Sequence, residues 1–301
     1  MALNQGFTYR EKLGGEAVGL TVLEYLSRQY RHSSATEWRC RIDDGRVCVD
    51  GTPVDISKLL RPGQTLTWHR PPWREPDAPT CYALLYEDRH LLGVGKPRGL
   101  PSLPGGGFLE KTLLYQVRRR YPEASPLHRL GRGTSGIMLF ARTGLARTEL
   151  TEAWQKTDVI RIYRALVQGT PEESAFTVDE PIGPVPHPLL GKVHALTQSG
   201  KPARSHVRVL ETREDTSLVQ VQIVTGRPHQ IRIHLAAAGL PLVGDRLYPP
   251  GGVPHEDTNV LPGDLGYWLH ASELRFRHPD SGATVALECT PPPILLVSRH
   301  E

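Results

Sequence analysis

Leu127 to Arg142 reads LHRLGRGTSGIMLFAR. Two arginines, Arg129 and Arg132, are interleaved with glycines; a Thr-Ser pair follows, and then an apolar run, Ile137 to Ala141, that predicts a strand. Gly131, Gly133 and Gly136 allow the backbone ahead of that strand to bend sharply or to approach a ligand closely. The guanidinium groups and the Thr134 hydroxyl suit phosphate oxygens. A second stretch has the same character. Thr225 to Leu235 reads TGRPHQIRIHL, and Arg227, His229, Gln230 and Arg232 crowd the start of an expected helix whose dipole favours anions there. A well-capped turn with surface arginines accounts for either stretch alone. Both lie in basic regions. Residues 111–165 carry a net charge of +7 and residues 192–235 a net charge of +4, in a chain whose total is only +4. The excess predicts one basic face and a phosphate-rich partner.

The elements around these stretches are short. Ile162 to Val167, His206 to Leu210 and Leu218 to Val224 read as strands; in the last, Val219, Val221 and Ile223 alternate with Gln220 and Gln222, as in a sheet with one buried face. Helices are expected where Leu109, Leu113, Leu114 and Val117 share a face, around Ala146, Leu150 and Ala153, and over 228–238 with Pro228 in the first turn and Gly239 past the end. The pattern is α+β: a mixed, mostly antiparallel central sheet with flanking helices. Ahead of it, residues 1–75 read as a small α/β module. Val22, Leu23, Leu26 and Tyr30 form a helix face capped by Thr21, and Asp50-Gly51 makes a hairpin turn. The proline-dense Arg70 to Pro79 reads as a stiff linker, so the expected domains are 1–75 and 76–301. The loop Pro249 to Pro262 is expected to be an exposed insertion.

With 301 residues, 39% of them hydrophobic, the chain can bury a core, and long disorder is not expected. No apolar run approaches the ~18–20 residues that span a bilayer, and the polar start is no signal peptide. Cys40, Cys48, Cys81 and Cys289 include no CxxC pair, which argues against a disulfide scaffold or zinc ribbon and for a reduced, cytoplasmic setting. A phosphate-loop reading of Gly105-Gly106-Gly107 fails on its spacing to Lys111. A nucleophile-elbow reading fails at Ile137. His229 and His234, five apart, do not share a helix face as a zinc pair would.

Six blocks in order make the chain resemble the RluA-type family of RNA pseudouridine synthases: YEDRHLLGVGKPRGLP (86–101), HRLGRGTSG (128–136), RIYRALVQG (161–169), KPARSHVRVL (201–210), TGRPHQIRIHLAAAGLPLVGDRLY (225–248) and LHASELRFRHP (269–279). Less fully, Leu26, Ile42, Gly45, Val47 and Gly51 make the first module similar to the alpha-L RNA-binding motif also found in a ribosomal small-subunit protein. The resemblance implies the pseudouridine synthase fold, action on ribosomal or transfer RNA, no cofactor or metal, no obligate protein partner and no membrane. It implies isomerisation of a flipped-out uridine: the glycosidic N–C bond breaks, the uracil turns, and a C–C bond forms to the same sugar carbon. The residues it singles out as catalytic are Tyr163, beside the base, and Arg227, partner of a carboxylate. It implies RNA contacts from His128, Arg129, Arg132, Thr134, Lys201, Arg204, His229, Gln230 and Arg232.

The carboxylate itself is missing. The family pattern puts it three residues after His128, where this chain has Gly131. A positioned acid or base supplies roughly 10²–10⁴ in rate, which a hydrogen atom does not replace. Three outcomes are open. Asp245, Asp179 or Glu180 is recruited; Arg227 turns to solvent or to an RNA phosphate; or the domain binds RNA without converting it. An aspartate restored at 131 is expected to raise turnover if the pocket is otherwise intact.

Overall fold

The computed structural model describes residues 3–256 and 260–298. The chain divides into two compact units, 1–75 and 76–301, with the boundary inside the proline-dense stretch.

In the smaller unit, β1 (Phe7–Lys12) precedes α1 (Val22–Gln29) and α2 (Ala35–Asp43), followed by β2 (Val47–Val49), β3 (Thr52–Pro53) and β4 (Thr65–Arg70). Both helices begin at a reciprocal capping box, Thr21 with Glu24 and Ser34 with Glu37, which satisfies backbone N–H groups that the first turn leaves free. Asp50 and Gly51 take φ of 50° and 81°, the left-handed pair that a two-residue hairpin turn requires. The strands form one sheet in the order β1-β4-β2-β3. It packs on the helices through Val22, Tyr25, Leu26, Trp38, Ile42, Val47 and Leu66.

The larger unit is α+β. Its elements are β5 (Ala83–Glu87), β6 (Leu91–Lys96), α3 (Leu113–Arg118), β7 (Ser125–Pro126), β8 (Thr134–Ala141), α4 (Gly144–Gln155), β9 (Ile160–Gln168), β10 (Ala175–Asp179), β11 (Ile182–His187), β12 (Gly191–Leu196), β13 (Arg204–Thr212), β14 (Thr216–Ile223), α5 (Gln230–Ala237), β15 (Leu269–Arg277) and β16 (Thr284–Glu288). Ten strands make the central sheet, along β10-β13-β14-β9-β15-β8-β6-β5, with β16 on β15 and β7 on β8. All these pairings are antiparallel except β15 with β8.

Strand β8 is buried along its whole length. Met138 and Phe140 join one core with Tyr163, Ala165 and Val167 of β9, while Ile137, Leu139 and Ala141 pack with Ala146 and Leu150 of α4 on the opposite face. That double cover explains an apolar run without alternation. Gly136, at φ 109°, lets β8 meet β15: a Cβ there would lie 2.2 Å from the Ala271 carbonyl oxygen.

Three local expectations are corrected. The first helix of this unit begins at Leu113 rather than near Leu109; Thr112 caps it, and its hydroxyl donates back to the Leu109 carbonyl. α5 begins at Gln230, with His229 as a left-handed N-cap (φ 58°), so Pro228 precedes the helix. The Gln230 side chain folds back to accept the Arg227 N–H and the Thr225 hydroxyl, which holds residues 225–229 in a loop. The 249–262 segment is exposed only in part among its described residues: Val253, His255, Glu256 and Leu261 are exposed, but Gly252, Pro254 and Val260 are buried, and the Gly251 N–H donates to the Ala236 carbonyl of α5 at 2.7 Å. Its residues 257–259 lie outside the described residues. Among the described residues no helix is long and apolar enough to cross a membrane.

Candidate active site

The loop entering β8 is clamped from below. The Ser102 hydroxyl accepts the Leu130 N–H and donates to the Leu130 carbonyl. The Arg132 carbonyl accepts the Gly99 N–H at 2.8 Å, and Arg132 Nε donates to the Gly99 carbonyl at 3.2 Å. Lys96, at the end of β6, is buried beneath this junction and donates to the carbonyls of Pro97, Leu100 and Arg132. Burial, reinforced by the Arg132 charge, pushes its pKa down to about 7. Sequence reasoning passed over Lys96, since nothing around a lone lysine says where its ammonium group goes.

Gly131 is exposed at the mouth of the clamped loop. A Cβ there would stand 2.8 Å from the hydroxyl oxygen of Tyr267, just ahead of β15. That oxygen lies 3.3 Å from Thr134 Oγ1. The Tyr267 ring, 2% exposed, lies 4.3 Å from the Arg232 guanidinium. Arg232 in turn is gripped by Asp245, Nε to Oδ2 at 2.6 Å and a terminal nitrogen to Oδ1 at 2.8 Å, and its other terminal nitrogen donates to the Pro262 carbonyl. The two side chains are 5% and 1% exposed. Burial is the largest single effect and opposes the Arg232 charge, but the Asp245 hydrogen bond and the charge interactions with Tyr267, Asp245 and Tyr248 together outweigh it, and the pKa rises. Asp245 also accepts the N–H groups of Leu247 and Tyr248.

Tyr163 stands on β9 opposite Val221 of β14 and Ala271 of β15. It is 9% exposed, and burial raises its pKa against the pull of Arg161. Among the described residues its hydroxyl has no hydrogen-bond partner.

The other expected residues fall into two groups. Arg129, Lys201 and Arg204 are exposed, and Arg204 pairs with Asp179. Arg227 is half-buried, its Nε donating to the Pro202 carbonyl at 3.0 Å; among the described residues it has no carboxylate partner. The buried guanidinium with a carboxylate is therefore Arg232, not Arg227. Arg232, Gln230 and His128, expected to contact RNA, make internal bonds in this structure. Gln230 is buried and uses its amide on Arg204, Ser205, Thr225 and Arg227. His128 accepts the Leu139 N–H and stacks on Trp154 at 5.1 Å; burial, with the Arg161 charge, lowers its pKa to about 4. His229 bonds the Tyr248 hydroxyl at 2.7 Å, and burial, with Arg232 next in effect, lowers it to about 3. The three carboxylate candidates separate too. Asp179 is at the surface with Arg204, Glu180 is exposed, and Asp245 alone is in the buried cluster. Tyr267 was missed: YW in GYWLHA carries no signal until β15 brings it to the loop.

The sequence model of the RNA pseudouridylate synthase family matches residues 90–237. A Synechocystis protein named an uncharacterized RNA pseudouridine synthase is 43% identical across 91% of this chain and 95% of its own length. RNA pseudouridine synthase 5 of Arabidopsis thaliana is 38% identical across 99% of this chain and 96% of its own. Ribosomal large subunit pseudouridine synthase D of Yersinia pestis is 34% identical across 86% and 83%. The solved structure of human RNA pseudouridylate synthase domain containing 1 superposes with a TM-score of 0.57 at 29% identity, covering 73% of this chain and 87% of that one. Relatedness of this extent runs the length of the unit that carries Tyr163 on β9, Gly131 ahead of β8 and Arg232 on α5, and the chain belongs to the RluA-type RNA pseudouridine synthases, isomerases that act on RNA.

Proposed function

We propose that this protein converts uridine to pseudouridine in structured RNA, ribosomal or transfer, with Tyr163 beside the base helping to remove the C5 proton. The observation that carries the reading is the Tyr163 hydroxyl, which no described group occupies, on a strand shared with the sheet partner of the Gly131 loop. The product is an isomer of the substrate, so the site need only hold the uracil through its turn and return the proton. The name of the Yersinia relative, a ribosomal large-subunit enzyme, favours ribosomal RNA. Residues 1–75 are assigned to RNA binding. Tyr9, exposed and stacked on Trp68 at 5.1 Å, and Arg41, 4.5 Å from Trp38 and 4.8 Å from Trp68, offer the aromatic and guanidinium planes on which bases stack. On the larger unit Arg129, Lys201 and the Arg118–Arg120 run supply phosphate contacts.

One observation favours a second reading, RNA binding without conversion: position 131 has no side chain, and both oxygens of Asp245 are committed to Arg232. The deciding experiment incubates the purified protein with cellular RNA that lacks its own modification and measures pseudouridine by mass spectrometry. New pseudouridine at a discrete site supports the isomerase. Tight binding with no product leaves the second reading.

A further inference from the structure

Two constraints meet at the Tyr267 hydroxyl. A Cβ on Gly131 would stand 2.8 Å from its oxygen, and a Cβ on Gly133 would stand 2.8 Å from Cζ of its ring. Neither neighbour can carry a side chain while Tyr267 holds its place. The ring is not free to give way, being buried against the Arg232 guanidinium, which Asp245 fixes in turn. Thr134 Oγ1 lies 3.3 Å from the oxygen. The hydroxyl thus occupies the room into which a residue at 131 would project, beside the exposed Gly131 backbone. Tyr267 also lines a cavity of about 200 Å³ with Arg232, Asp245, Arg246 and Asp264.

We propose that positions 131 and 267 form one unit in which the Tyr267 hydroxyl, in place of any side chain on the loop, is the polar group presented to the sugar of the bound nucleoside. Glycine at 131 then makes way for it. The chemistry differs from that of a carboxylate. An ionised carboxylate only accepts hydrogen bonds, whereas a phenol both donates and accepts. Either oxygen can donate in the Thr134 contact; in the arrangement proposed, Thr134 donates to the phenol oxygen, the phenol proton is left for a third oxygen, and a ribose hydroxyl or ring oxygen is of the right kind. An aspartate at 131 meets Tyr267 instead of completing the pocket, which reverses the gain expected from sequence. That the nucleoside is uridine rests on the isomerase reading; the placement of Tyr267 does not.

The test uses the full chain labelled with 3-fluorotyrosine and a uridine-rich oligoribonucleotide. The ¹⁹F resonance that Tyr267→Phe removes reports this residue. It is expected to shift when the oligonucleotide is added and, without RNA, in Gly131→Ala. A resonance that RNA leaves unmoved while other tyrosines shift overturns the proposal. In turnover, Tyr267→Phe and Gly131→Ala are each expected to cost about tenfold or more in kcat, as loss of a substrate hydrogen bond does. RNA affinity of Tyr267→Phe should fall by no more than about tenfold, and its melting temperature by no more than loss of the one Thr134 hydrogen bond accounts for. The double variant should be no slower than the slower single, because one change removes and the other displaces the same oxygen. Multiplying losses, or a fully active Tyr267→Phe, overturn the proposal. Protein whose resonance shifts with RNA but which makes no pseudouridine supports the placement and refutes the isomerase reading.

Discussion

Arg227 and Arg232 lie five residues apart in one motif, yet the folded chain treats them as different kinds of group. Arg232 is locked to a fully buried carboxylate, while Arg227 leans on one carbonyl at the surface. Arg232→Ala should cost about 3–5 kcal/mol in urea unfolding, since it strands the Asp245 charge. Arg227→Ala should stay within about 1 kcal/mol, the scale of one partly exposed hydrogen bond. Equal costs would mean the buried pair is not formed in solution. Tyr163→Phe removes a hydroxyl that no neighbour uses; turnover should vanish while melting temperature and RNA affinity hold. Unchanged product formation would take Tyr163 out of the mechanism. The sequence held a hint of the arginine difference, because Arg232 sits between Ile231 and Ile233 inside a helix whereas Arg227 precedes Pro228. Which guanidinium reaches a carboxylate thirteen positions downstream is decided by the 239–248 turn, which local spacing does not encode.

Elements were legible where burial follows periodicity. The Ile137–Ala141 run and the alternation along β14 mark the middles of their strands, though β8 starts three residues and β14 two residues earlier than the pattern does, and Thr21 marks the start of α1. Reading failed where a side chain from elsewhere sets a boundary. Gln230 and the His229–Tyr248 bond hold residues 225–229 in a loop and delay α5. Asp245, read only as a candidate, is fixed by a bond that no strand or helix pattern announces. Strand β6 shows the energetic side. Its last residue, Lys96, loses its proton near pH 7 in the folded protein, against about 10.5 in the unfolded chain. Between those values the unfolded chain binds more protons, so this residue's contribution makes stability rise with pH from about 7 to about 10.5; as pH falls it is lost across that window and is gone once pH has dropped through 7. Lys96→Met should flatten that limb in denaturant melts recorded across the range. An identical pH profile would place the ammonium in water.

For the whole molecule, α+β class and a mostly antiparallel sheet were readable from the rhythm of short strands and helices. Strand order was not, because β15 enters the middle of the sheet from far along the sequence and register across such distances leaves no local mark. The basic stretches give a measurable consequence. If Arg118–Arg120 and Lys201 meet phosphates, neutralising them should weaken binding to all RNA sequences alike. The slope of log K against log salt should fall by roughly 0.7–0.9 per lost contact. A slope that stays constant would put the strand on another face.

β15 lies between β9 and β8, so without it the sheet is two separate halves, one carrying Tyr163 and the other the Gly131 loop. During synthesis the ribosome therefore releases both halves before the strand that sews them together. Tyr163 and the Gly131 loop are first joined in one sheet when residues near 277 have left the exit tunnel, and a nascent chain lacks that joined sheet until then. A chain stopped at residue 265 should lack turnover and show amide exchange in β8 and β9 far faster than in the full protein; slow exchange there would mean the halves join by another route.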